Sequence, residues 1–386
     1  MNKPLPLVSR KMLLVPQGEF ELACNPPDDN LQAWDSADEF LLSHIDELQV
    51  LSAHSKLLIL NDACGALAVA LATCPAYSWN DSFLAQQALR NNLVANGYPA
   101  EQVKTNSGID FPAVAVDCVL LKIPKTLALL EYQLYALRPV LHHDTHIVAA
   151  GMSRHIHNST LELFESILGP TTTTRARKKS RLILVERDHS INEGQSRFPD
   201  SYELEVDRAY RIVNHASLFS RDRLDRGSQL LIEHMPVGEQ YRRIVDLGCG
   251  NGVLGIIAAS LNPAASLLFC DESHMAIASA SENFHHAFAQ TRNVEFKVDD
   301  CLHTVASASR DLVLINPPFH QQHSIGDAIA WKMFKDARRV LVTGGELRLV
   351  GNRHLGYHAK LMKLFGNCET IAADSKFVIL SSIKRV

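Results

Sequence analysis

A chain of 386 residues, 46% hydrophobic and 21% charged, has the length of two ordinary domains and a composition able to bury sizeable cores. Its net charge of −4 supplies no overall basic field for a nucleic acid, no apolar run is long enough to span a membrane, and the eight cysteines show neither C-x-x-C pairs nor zinc-ligand spacing. A disulfide framework, a metal site and a membrane protein are thereby disfavoured, and a reducing cytoplasm is the expected location. The first twenty residues also lack the long apolar core and cleavage site of a signal peptide.

In chain order, Leu57-Leu58-Ile59-Leu60 is the first buried strand predicted, and it runs into Asn61-Asp62-Ala63-Cys64-Gly65-Ala66-Leu67. Trp79-Asn80-Asp81-Ser82 follows, then a strand Val119-Leu120-Leu121 entering Lys122-Ile123-Pro124-Lys125. The histidines at 142, 143, 146, 155 and 157 have no Cys or carboxylate companion at ligand spacing, so no metal is expected there. Arg175, Arg177, Lys178, Lys179 and Arg181 form a dense basic run. It reads either as a solvated face or as a contact for a phosphate backbone. From about Glu186 to Asp207 apolar periodicity disappears, and residues 191–207 read as a linker between domains at 1–190 and 208–386.

The second half carries four motifs, each at the carboxyl end of a predicted strand, where open α/β sheets bind ligands. Arg243-Ile244-Val245 enters Asp246-Leu247-Gly248-Cys249-Gly250-Asn251-Gly252, and a helix is predicted from Val253 to Leu261, stopping at Asn262-Pro263. Alternating glycines permit positive φ and a close ligand approach. The acid Asp246 suits a cation better than a pyrophosphate. Ala265 to Cys270 ends at Asp271, placed to accept from ribose hydroxyls, and Val294 to Val298 ends at Asp299-Asp300, which could accept from an adenine amino group. Finally Leu312-Val313-Leu314-Ile315 empties into Asn316-Pro317-Pro318-Phe319. Two prolines stiffen that turn and remove two N–H donors. It is either a plain strand-to-loop corner or a grip for an exocyclic amine, with Asn316 Oδ1 and the Pro317 carbonyl as acceptors and Phe319 as a stacking face. An amine so held has its lone pair turned toward a methyl donor, and a base so held must leave its helix.

D-x-G-x-G-x-G after a strand resembles the first motif of Rossmann-like methyltransferases, which use S-adenosylmethionine. The first half resembles a worn copy of the second: Asn61 to Leu67 aligns by letters with Asp246 to Gly252, Lys122-Ile123-Pro124-Lys125 with Asn316 to Phe319, and Leu137-Arg138-Pro139-Val140-Leu141 with Ala337 to Leu341. Over nearly its whole length the chain resembles the ribosomal RNA large-subunit methyltransferase G family. Leu31-Gln32-Ala33-Trp34, Pro124 to Glu131, Leu168 to Thr174, Phe219-Ser220-Arg221 with Leu224 to Gly227, and Asn316 to His323 carry the likeness. The resemblance implies an α/β fold of two tandem Rossmann-like (class I) methyltransferase domains, each a mostly parallel seven-stranded sheet flanked by helices, the first degenerate. It implies 23S ribosomal RNA as partner and N2 of guanine as target. It places the cofactor on Asp246, Gly248, Gly250, Gly252, Asp271, Asp300 and Asn316, and catalysis on Asn316, Pro317 and Phe319. The catalytic motifs alone leave open 16S guanine-N2, adenine-N6 or glutamine-N5 methylation; a non-enzymatic RNA-binding assembly factor of two degenerate domains is a further alternative, against which the intact second-half motifs argue.

Overall fold

The computed structural model of the protein describes residues 10–25, 32–218, 223–288, 292–318 and 323–385. Leu31, the 219–221 stretch and Phe319 to Gln322, all part of the sequence reading, lie outside these. The chain divides into two compact units, Met1–Phe198 and Pro199–Val386.

In the first unit a hairpin, β1 (Lys11–Val15) and β2 (Gly18–Leu22), precedes α1 (Ser36–Leu48). Strand–helix alternation follows: β3 (Leu57–Leu60), α2 (Ala66–Ala70), β4 (Ala76–Trp79), α3 (Phe83–Ala95), β5 (Val103–Asn106), β6 (Val116–Lys122), α4 (Leu127–Leu137), β7 (Leu141–Met152), α5 (Asn158–Ile167), β8 (Thr171–Thr173) and β9 (Ser180–Val185). The seven strands from β3 onward form one sheet in the order β5-β4-β3-β6-β7-β9-β8. Strand β9 runs antiparallel to β7, and β8 antiparallel to β9. Central β3 is apolar at every position because both faces are covered. Leu57 and Ile59 pack with α1, α2 and α3, whereas Leu58 and Leu60 pack with α4 and α5.

The second unit repeats the plan. A hairpin, β10 (Asp200–Glu205) and β11 (Ala209–Asn214), leads through α6 (Arg226–Glu233) into β12 (Arg243–Leu247), α7 (Val253–Leu261), β13 (Ser266–Asp271), α8 (His274–Ala287) and β14 (Val294–Val298). Then come β15 (Arg310–Ile315), α9 (His323–Val340), β16 (Leu341–Asn352), α10 (Tyr357–Phe365), β17 (Glu369–Ala373) and β18 (Phe377–Ile383). Its sheet order, β14-β13-β12-β15-β16-β18-β17, is that of the first unit strand for strand. Even the irregular pairing recurs: register slips between Val116 and Cys118 in one sheet and between Arg310 and Leu312 in the other. The expected α/β architecture, two seven-stranded mostly parallel sheets flanked by helices, is what the chain adopts.

The stretch 191–207, read as a linker, is structured. Arg138 donates from Nη1 to the carbonyls of Glu193 and Gly194 and from Nη2 to that of Ile191, tying this segment to the first unit. Residues 200–205 form β10, whose alternating Tyr202 and Leu204 pack into the second unit's core. Its polar alternate residues hid that strand: a half-exposed two-stranded ribbon has little apolar signal.

Candidate functional site

The glycine turn of the second unit sits where the sequence places it, and its glycines have different reasons. Gly248, Gly250 and Gly252 have φ of +69°, +53° and +81°. Gly252 is the N-cap of α7, and a Cβ there would lie 2.9 Å from the Ala280 Cβ, so its smallness lets α7 pack against α8. A Cβ at Gly250 would meet nothing within 4 Å; that turn position faces open space. Gly250 N–H donates to Asp271 Oδ2 at 3.0 Å, and Ser273 N–H donates to Asp271 Oδ1 at 3.0 Å. Asp271 thus links the glycine turn to the start of α8 at the end of β13. Asp300, proposed for an adenine amino group, is ion-paired to Lys332 of α9, a partner far away in sequence.

Asp246 is placed differently from the expectation of an acid facing a cation. It lies within β12 on the same face as Ile244, under α7, and is 1% exposed. Its Oδ2 accepts from Gly255 N–H at 2.8 Å, doing for α7 what the side-chain-free Gly252 cap cannot. Gly255 was missed by sequence reasoning: a Cβ there would come 2.3 Å from the Phe269 ring and 3.1 Å from the Asp246 Cβ. Asp246 Oδ1 is buried without a partner among the described residues. Burial pushes the Asp246 carboxyl up to about 8, and the Gly255 bond only partly opposes this. A carboxyl raised on folding is favourable below its ordinary range and costs stability as pH rises toward the folded value. The unliganded protein should therefore lose thermal stability between about pH 4 and 8 relative to Asp246→Asn, which keeps an acceptor for Gly255 and cannot ionise. Parallel melting curves at pH 5 and pH 8 check this; equal pH slopes would contradict it.

The amide–proline turn lies directly beside the glycine turn. Parallel β12 and β15 pair Leu247 with Ile315, so Gly248 and Asn316 leave adjacent strands at the same level. Asn316 Nδ2 donates to Ser228 Oγ at 2.8 Å and reaches Asp225 Oδ2 at 3.4 Å. Its Oδ1 is buried and has no partner among the described residues. Pro317 is buried and Pro318 exposed. Asp225 is the N-cap of α6, as a helix start at this point suggests, and it also touches the Asn316 amide. Ser228 had a local signal, the cap-to-third-residue spacing from Asp225. Nothing local connects either residue to position 316.

The corresponding place in the first unit is filled by its own side chains. Register places Lys122 at the level of Asn316, since β3 pairs Leu60 with Leu121 as β12 pairs Leu247 with Ile315. The glycine turns, however, align two residues away from the letter match. Asn61 N–H bonds the Trp79 carbonyl as Gly248 N–H bonds that of Cys270. Asn61 has φ of +60° where Gly248 has +69°, and Gly65 caps α2 as Gly252 caps α7. Ile59, not Asn61, therefore occupies the position of Asp246. The Asn61 side chain exchanges hydrogen bonds with Gln133 at 2.9 and 2.7 Å and donates to the Lys122 carbonyl at 2.8 Å. Asp62, 3% exposed, accepts from the N–H groups of Ala66 and Ala68 at 2.9 Å each, closing the N-terminus of α2.

The basic run forms the tip of the β8–β9 hairpin, a two-residue turn with Lys178 and Lys179 at φ of +49° and +66°. All five cations are exposed, but they are not equivalent. Lys178 is paired with Glu39 at 2.7 Å, and Arg177 lies over the Phe40 ring at 5.7 Å. Arg175, Lys179 and Arg181 have no ion pair among the described residues. Lys179 also borders a cavity of about 380 Å³ with Met152, Ser153, Arg154 and Ala176. Among the described residues no group of three or more His, Cys, Asp or Glu is placed to hold a metal, and no helix is long and apolar enough to cross a membrane.

Comparison with known proteins agrees with this two-unit plan. Residues 10–189 match the RLMG N-terminal domain family, and residues 209–381 match the methyltransferase small domain family. A solved T. thermophilus 16S rRNA N2 G1207 methyltransferase, in complex with AdoMet and guanosine, is similar in fold with a TM-score of 0.76 over 98% of both chains at 21% identity. The ribosomal RNA large subunit methyltransferase G of Streptomyces coelicolor is 45% identical over 96% of this chain and 100% of its own length. That of Erwinia tasmaniensis is 49% identical over 92% and 93%. At that identity over nearly the full length of both, the chain belongs to the ribosomal RNA large subunit methyltransferase G family.

Proposed function

We infer that this methyltransferase transfers a methyl group to the exocyclic N2 of a guanine in 23S ribosomal RNA. The methyl donor is S-adenosylmethionine, and the residues around the glycine turn suit it: Gly250 leaves space above a left-handed turn, and Asp271 stands at the end of the neighbouring strand. The observation that carries the reading is the Asn316 amide, held by its NH₂ end beside that turn, with a buried Oδ1 that has no partner among the described residues. Oδ1 and the Pro317 carbonyl would accept hydrogen bonds from the two N–H groups of the guanine amine, leaving its lone pair free for the methyl group that S-adenosylmethionine supplies when bound. The methylated nitrogen would then shed a proton to solvent, so no strong base is needed. Phe319 stacks on the extruded base in this reading.

Asp246, buried with its carboxyl pushed up by that burial, supports the turn from below through Gly255. Asp300 meets Lys332 through Oδ2, and in this reading its Oδ1 is the atom that accepts from the adenine amino group. The first unit, with Asn61, Asp62 and Lys122 across its equivalent cleft, binds RNA and not cofactor, and the protein works in the cytoplasm where ribosomes assemble. Tritium transfer from labelled donor to protein-free 23S RNA, 16S RNA, DNA and peptide tests the reading. Label in 23S RNA as N2-methylguanosine supports it; label confined to 16S RNA, to DNA or to peptide overturns it.

The basic hairpin tip of the first unit has its own expected result. Replacing Arg175, Lys179 and Arg181 by glutamine should weaken RNA binding and flatten its salt dependence, by roughly 0.7–0.9 in log–log slope for each phosphate no longer neutralised. Lys178→Gln should do less, because Lys178 is already committed to Glu39. Filter-binding titrations at several salt concentrations measure both, and an unchanged slope in the triple variant would return the run to a solvated face.

A further inference from the structure

A primary amide can present either of two ends to a substrate, and the two differ by a half-turn that costs little unless neighbours choose between them. At position 316 the end matters. Oδ1 accepts from an amino group, whereas Nδ2 would meet that amino group donor to donor and would suit a ring carbonyl instead. Ser228 Oγ, 2.8 Å from Nδ2, can accept or donate, so a hydroxyl alone would tolerate both orientations. An ionised carboxylate only accepts. Asp225 Oδ2, 3.4 Å from Nδ2, therefore favours the NH₂ end and repels the carbonyl end.

Asp225 is itself held. Its Oδ1 accepts from Ser228 N–H at 3.0 Å as the N-cap of α6. The intervening Gly227 has no room to grow: a Cβ there would lie 3.1 Å from Asp225 Oδ1 and 3.3 Å from the Phe377 ring. One carboxylate thus starts a helix and orients the amide 91 residues away. Its charge behind the NH₂ end also polarises the amide and enriches Oδ1, the atom without a partner among the described residues.

We propose that Asp225 and Ser228 are positioning residues that lock the Asn316 amide with Oδ1 toward the substrate, and so select an exocyclic amine over a ring carbonyl. This rests on the functional reading above, and the identity of the methylated nucleoside tests that reading separately.

The experiment is single-turnover methyl transfer from tritiated S-adenosylmethionine to protein-free 23S RNA with enzyme in excess. It compares wild type, Ser228→Ala, Asp225→Asn, Asn316→Ala and the two doubles with Asn316→Ala. Each positioning variant should lose about 10–100-fold in rate, the range for partners that orient a contacting group. The Kd for S-adenosylmethionine should not move, and Asp225→Asn should melt like wild type because asparagine caps helices equally well. In the Asn316→Ala background neither substitution should cost anything further, since each acts through the amide already removed. Rates within threefold of wild type for both single variants would overturn the proposal, as would losses that persist undiminished without Asn316. Should Ser228→Ala not fold, Asp225→Asn carries the same comparison. If wild type methylates an amine other than guanine N2, the functional reading fails while the rate ratios still decide the positioning.

Discussion

Asn316→Ala should slow methyl transfer by about 10²–10³-fold, the cost of removing one preorganised polar group aimed at the reacting centre. The affinity for S-adenosylmethionine should stay close to that of wild type. The substitution deletes a buried acceptor atom that has no partner among the described residues, and it also takes the donor away from Ser228 Oγ and Asp225 Oδ2. Those two groups lie at the start of α6 and retain their own cap bond, so the fold should tolerate the change. Asn316→Asp is the informative companion. It is nearly isosteric, but it sets a second carboxyl against Asp225, and the amide's fixed polarity is lost. Both variants are read by initial rates with labelled donor and by calorimetric titration of the cofactor. Turnover within threefold of wild type in Asn316→Ala would remove this side chain from the chemistry. A large loss of cofactor affinity would move its role from the amine to the cofactor.

What could be read from letters was what local chemistry decides. Four-residue apolar runs announce buried parallel strands, glycines announce left-handed turns, and α7 has the predicted bounds because Gly252 and Asn262-Pro263 punctuate it. Two prolines likewise make the corner after Ile315 legible. The misreadings share a cause: side-chain direction and distant partners are not local. Asp246 belongs to the face of β12 that lies under α7, which only the assembled sheet decides, and so an acid that reads as ligand-facing holds a helix start. The repeat was visible, but Cys64-Gly65 matched Cys249-Gly250 by letters. The backbone matches Gly65 to Gly252 instead, because both cap a helix in the left-handed region. Ser228 and Lys332 are close to Asn316 and Asp300 only through packing of helices from elsewhere in the chain.

The second large effect expected concerns Lys122, which stands in the worn copy where Asn316 stands in the intact one. Its ammonium lies 2.6 Å from Asp35 Oδ1 and 2.8 Å from Asp38 Oδ1. These two acids form the capping box of α1: Asp35 Oδ1 accepts from Asp38 N–H at 3.3 Å, and Asp38 Oδ2 accepts from Asp35 N–H at 2.8 Å. Helix α1 in turn carries Leu41, Leu42 and Ile45 into the core. The position proposed to grip substrate in one unit fastens a helix in the other. Lys122→Met keeps the length of the stem but leaves Asp38, its side chain 8% exposed, without a counter-ion. Breaking a buried pair from one side costs about 3–5 kcal/mol, so the first unit should melt roughly 10 °C lower. Removing both sides is different. The triple variant Lys122→Met, Asp35→Asn, Asp38→Asn should recover much of that loss, because asparagine still caps and nothing charged remains buried. Thermal unfolding of the full chain measures both variants, and cofactor titration should show S-adenosylmethionine affinity unchanged in each. A melting temperature unmoved by Lys122→Met would mean that the ion cluster does not hold α1. A drop in cofactor affinity would mean that the first unit had kept a share in binding the methyl donor.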